Sequence, residues 1–134
     1  MRNRFLLGAI DDTLCALATR DVLDQIAHDI EPDEQWRFML CGSGPDYLRG
    51  AIALTLDRVD VAERWFKIGL EWANSWGLDT IIGRNLYGLA QVEERRGNHL
   101  EAMAHLDAAG ALFAKRGAKL YLDQVIAMKQ VLRG

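Results

Sequence analysis

"PDYLRGAIALTLDRVDVAERWFKIGLEWANSWGL", residues 45–78, holds two apolar patterns of helical period, parted by "DRVD" at 57–60 and stopped by Gly77. Forty residues further on, "NLYGLAQVEERRGNHLEAMAHLDAAGALFAKRGA", residues 85–118, repeats the plan. Tyr47 falls on Tyr87, Gly50 on Ala90, Ile52 on Val92, Ala62 on Ala102, Phe66 on Leu106, Gly69 on Ala109 and Gly77 on Gly117. Small residues replace small and apolar replace apolar, the signature of stacked supersecondary units. Each unit is expected to be a helix, a tight turn and a second helix ending at glycine. Residues 79–84 start the next first helix early, so the repeats span 45–78 and 79–118. Gly50 and Ala90, each twelve residues before Ala62 and Ala102, mark positions where two helices approach closely and a larger side chain would hold them apart.

The rest of the chain supports an all-α reading. Proline occurs only at positions 32 and 45, and β-branched residues form no alternating strand pattern. Turn signals stand at 19–21, 31–33, 41–45, 57–60, 76–79, 96–98 and 116–118. The stretch "CGSGPD" at 41–46 is read as a helix start: Pro45 has no N–H to lose, Ser43 or Gly44 suits the cap, and Asp46 complements the positive end of the dipole. A nucleophilic Cys41 would need a base, and no local motif pairs it with His28, His99 or His105, so a structural thiol is the favoured reading. The glycines complete neither a dinucleotide nor a Walker pattern.

On a wheel of about 100° per residue, Val61, Ala62, Trp65, Phe66, Ile68, Gly69, Trp72, Ala73 and Trp76 fill one broad arc. An arc this wide predicts two neighbours rather than one, as in stacked hairpins, and makes the tryptophans core and inter-repeat contacts.

At 134 residues the chain is expected to be one domain able to bury a core without metal or disulfide. A net charge of −3, with Lys and Arg scattered among Asp and Glu, gives no footprint for nucleic acid or an anionic membrane. The apolar run at 5–10 is too short for a signal peptide, and nowhere does the sequence approach the roughly 20 apolar residues of a membrane span. Cys15 and Cys41 form no CxxC pair, which suits a reducing compartment, so a cytoplasmic location is expected.

Gly50, Ala62, Phe66 and Gly69, repeated as Ala90, Ala102, Leu106 and Ala109, resemble the tetratricopeptide pattern: a small residue in the first helix, then Ala, a large apolar residue and a small one in the second. The period of 40 exceeds the family's usual 34, the first-helix Trp is missing, and "WGL" and "RGA" stand in place of the closing Pro. The segment from Cys41 to Gly77 is similar to the longer repeats at the C-terminal ends of bacterial LuxR-type ATPase regulators and nucleotide-cyclase-linked regulators. The resemblance implies antiparallel helical hairpins stacked as a short right-handed solenoid. Residues 1–41 would form a degenerate N-terminal unit, with 31–40 a short helix or linker, and 119–134 a capping or truncated helix.

The resemblance also implies a non-catalytic module that binds a protein or peptide segment, or another domain of a larger regulator, for signalling or transcription control. Its groove positions fall on Tyr47, Ala51, Arg84, Tyr87, Gln91, Glu94 and Gln124. The two tyrosines offer apolar area plus a hydroxyl, and Arg84 offers a fork for a carboxylate. No catalytic residue, metal or cofactor is assigned. Glu101 and His105 lie one turn apart but lack a third ligand, and Glu93 with Glu94 point in different directions on a helix. Two other classes remain open: a structural segment forming homodimers through apolar solenoid ends, and small-effector binding or an activity of Cys41.

Overall fold

The structure, a computed structural model, describes residues 44–134. The expectations for residues 1–41, the segment 31–40, Cys15, His28, Cys41 and the Ser43 cap lie outside the described residues. Within them are five α-helices and no strand: α1 (Gly44–Thr55), α2 (Val59–Trp76), α3 (Asp79–Arg95), α4 (His99–Arg116) and α5 (Lys119–Arg133). Pro45 and Asp46 occupy the first turn of α1.

The turns follow one rule. Asp57, Gly77, Gly97 and Gly117 all have positive φ, between 62° and 81°, and stand twenty residues apart. After each, the next N–H reaches back five residues: Arg58 to Ala53 O (2.8 Å), Leu78 to Ala73 O (3.0 Å), Asn98 to Glu93 O (2.9 Å) and Ala118 to Phe113 O (2.9 Å). This is the Schellman stop, which satisfies helix-end carbonyls and favours glycine because a Cβ strains the left-handed conformation. Asp57 is the only side chain among the described residues to carry that strain.

Connections this short fold each helix back on its predecessor, and polar contacts fix the directions. Arg96, just past the end of α3, donates to Asp60 (2.6 Å) and Glu63 (2.9 Å) in the first turns of α2. Arg116 at the end of α4 donates to Asp79 at the start of α3 (2.9 Å). Neighbouring helices therefore run antiparallel. Arg95 at the end of α3 donates to Leu54 O at the end of α1 (3.1 Å), so alternate helices run parallel.

Among the described residues, two apolar clusters fill the interior. Tyr47, Leu54, Ala62, Phe66, Leu89 and Val92 join α1, α2 and α3. Ala90, Leu106, Ala109, Phe113 and Val125 join α3, α4 and α5, with Met128 and Leu132 packed against them. The Phe66 ring lies between Gly50 and Gly88; a Cβ added at Gly88 would meet it at 2.5 Å, and one at Gly50 would also enter the ring. Gly50 is thus needed for a ring more than for a backbone. Phe113 has a similar opening at Gly83, where a Cβ would stand 2.6 Å from the ring. Facing Asn85, Gly69 leaves room for the carboxamide oxygen, while Asn85 Nδ2 donates to Ile81 O (2.9 Å).

The buried stripe of α2 is narrower than its apolar arc. Ala62, Phe66, Gly69, Trp72 and Ala73 are buried, but Ile68 is 40% and Trp76 52% exposed. Ile68 lies beyond the edge of the stripe, whereas Trp76 lies on it but sits where the helix stops at Gly77.

Candidate functional site

The alternate helices α1, α3 and α5 share one face, and its floor is an arginine between two phenols. Arg84, in the second turn of α3, is 1% exposed. Its guanidinium carbon lies 4.3 Å from the ring centroid of Tyr47 on α1 and 4.4 Å from that of Tyr121 on α5. Nη1 donates to Gln124 Oε1 on α5 (3.0 Å). A planar, weakly hydrated cation suits this sandwich, since both of its faces meet π-electron density while the edge keeps its hydrogen bonds. One side chain thereby ties three helices together.

Above this floor runs a groove of about 440 Å³ between α3 and α5, within the roughly 300–1,000 Å³ of ordinary binding sites. Helical spacing builds both walls. Tyr87, Gln91, Glu94 and Arg95 recur at intervals of four, three and one on α3, while Gln124, Ala127, Met128, Val131 and Leu132 recur at three, one, three and one on α5. Leu54 of α1 closes one end. Arg95 leans over that end, donating to Leu54 O and to Asp57 (3.3 Å).

Of the residues that the sequence places in a groove, Tyr87, Gln91, Glu94 and Gln124 line this one. Tyr47 and Arg84 lie buried beneath it, and half-buried Ala51 packs against the α1–α2–α3 cluster. Arg84 therefore presents no fork to solvent. Sequence reasoning missed Leu54, Arg95, Ala127, Met128, Val131 and Leu132. The α5 set was accessible by stepping three and four residues on from Gln124.

Charges elsewhere serve the helix ends. Hydrogen bonds from Lys115 and Arg116, assisted by their charges, hold the Asp79 carboxyl below its ordinary range. The hydrogen bond from Arg96, then its charge and that of Lys67, does the same for Glu63. Lys129 pairs with Asp107 between α5 and α4. Among the described residues no group of three or more His, Cys, Asp or Glu is placed to hold a metal, and no helix is long and apolar enough to cross a membrane. Comparison of the chain with protein-family models, curated proteins and solved structures finds no match, which leaves the groove's own geometry to carry a functional reading.

Proposed function

We propose that this chain is a non-catalytic binding module whose hairpins stack as a tetratricopeptide-like, right-handed solenoid, and that it seats a protein or peptide segment between α3 and α5. It would serve in the cytoplasm as the partner-sensing part of a bacterial signalling or transcription regulator. The observation that carries this reading is the groove itself, where Tyr87, Gln91 and Gln124 set polar atoms over the apolar flank of Met128 and Leu132. Few convergent polar groups on an apolar wall orient a ligand, and rigid helices hold them there. Peptides selected from a random display library on the full chain are expected to lose at least tenfold in affinity on Tyr87→Ala/Gln91→Ala, about 1.4 kcal/mol, with far-UV dichroism unchanged. Unchanged affinity would remove the groove from consideration.

A second reading has its own support. Leu120 and Val131, near one line of α5, are 70% and 74% exposed, apolar side chains of the sort that join copies. Sedimentation over a wide concentration range decides it: a strict monomer leaves dimerisation without a basis, and a dimer broken by Val131→Asp supports it.

A further inference from the structure

We infer that the α3/α5 groove selects a protein segment carrying an arginine or lysine beside apolar residues, with the Glu94 carboxylate as the site for the cation. This rests on the segment-binding reading above and adds the chemistry of the partner. Glu94 and Arg95 are the charged residues of the groove, and they differ in commitment. Arg95 is engaged by the Leu54 carbonyl and Asp57. Glu94, half-buried, has no hydrogen-bond or ion-pair partner for its carboxylate among the described residues. Its neighbour Glu93 is paired in contrast, accepting from Asn98 (2.7 Å) and lying 3.7 Å from Arg96. The groove consequently carries an uncompensated negative charge, strengthened by partial exclusion of water.

The other polar groups complete the selection. Gln124 turns its Oε1 to Arg84, which leaves its NH2 as a donor for a carbonyl oxygen. A carboxylate for a cation and a carboxamide N–H for a backbone carbonyl, above adaptable Met128 and Leu132, match a basic–apolar peptide. They disfavour a phosphate backbone, which would meet Glu94 as a like charge. The polarity is opposite to the carboxylate ligand that Arg84 would have taken had it faced solvent.

Random heptapeptides displayed against the full chain test this, with Glu94→Gln, Glu94→Lys and Ala127→Trp as variants. Ala127 is exposed on the groove wall, so the indole blocks the groove without touching the core. Selected peptides are expected to carry Arg or Lys next to an apolar residue, to bind roughly tenfold more weakly to Glu94→Gln, and to be lost on Ala127→Trp. Selection on Glu94→Lys is expected to turn towards Asp or Glu. Peptides that depend on Ala127 yet show no basic preference and ignore Glu94→Gln would overturn the inference and leave the groove standing. Peptides indifferent to Ala127→Trp, or no selectable peptide at all, would overturn both.

Discussion

The α1/α3 seam is closed and the α3/α5 seam is open, although both join helices forty residues apart in one repeating chain. In the first, Phe66 is held between Gly50 and Gly88, and α1 packs directly on α3. At the corresponding positions of the second stand Leu106, Ala90 and Met128, all in one apolar cluster, and α3 and α5 stand farther apart. The large ring with two glycines and the smaller Leu with Ala and Met are two ways to fill similar space, and interiors at crystal-like density tolerate such exchanges when total volume is kept. The side effect differs. Two glycines let α1 and α3 close over the ring, whereas Met128 props α5 away and becomes the flank of a groove.

Transplanting one seam into the other is the sharpest way to break this comparison. Gly88→Met alone drives a side chain into the Phe66 ring and is expected to cost about 3 kcal/mol in urea unfolding. Combined with Gly50→Ala and Phe66→Leu, the same change should recover to within about 1.5 kcal/mol of wild type. If the triple variant is no better than the single one, volume exchange does not explain the two seams.

Across the open seam Arg84 is the tie, and Arg84→Lys removes the planar stacking on Tyr47 and Tyr121. A loss of about 1–2 kcal/mol is expected, with amide exchange accelerated in α5 before α1 and α2. Uniform acceleration through all five helices would mean that Arg84 supports the whole fold and not this seam.

The turn beside the closed seam offers a gain. Asp57→Gly relieves the strained φ of 62° but gives up the exposed pair with Arg95. Relief of about 1 kcal/mol against a few tenths for a solvated ion pair predicts a net stabilisation of about 0.5 kcal/mol, read as a higher thermal midpoint.

The smallest effect concerns pH. Arg96 holds the native Glu63 carboxyl below its ordinary value of 4.5. A depressed native value means that the contribution is complete above the unfolded value and is lost as pH falls through the native one. The stability advantage of wild type over Glu63→Gln should therefore shrink on acidification below about pH 4.5, by no more than about 0.5 kcal/mol because solvent reaches the pair. An advantage that is flat or grows on acidification would contradict that coupling.

Much of this fold was legible in the residues. Gly77 and Gly117 announce the helix stops, and the shift of forty aligns Gly50 with Ala90 and Phe66 with Leu106 before any coordinate is known. Periodicity gives a residue's angle on its helix but not its depth. Tyr47 and Tyr87 share an angle, yet Tyr47 is covered and Tyr87 lines the groove, because Arg84 and the Phe66 ring crowd the first. Depth depends on which neighbour is large, and that information is divided among α1, α3 and α5. Arg84 illustrates the same limit: an arginine on a polar face looks solvent-bound until two tyrosines, 37 residues before and after it, are seen to enclose it.

The even spacing of the left-handed turns has a consequence for how such a chain can change length. Because each rod and its turn consume twenty residues, the array keeps phase, like teeth on a rack. One residue gained inside α3 ahead of Gln91 would swing that side chain and Glu94 by about 100°, away from Met128, whereas one gained at position 97 would be absorbed outside the rods. Gains of forty would lengthen the rack without disturbing its teeth, but twenty would set a second-helix face where a first-helix face belongs.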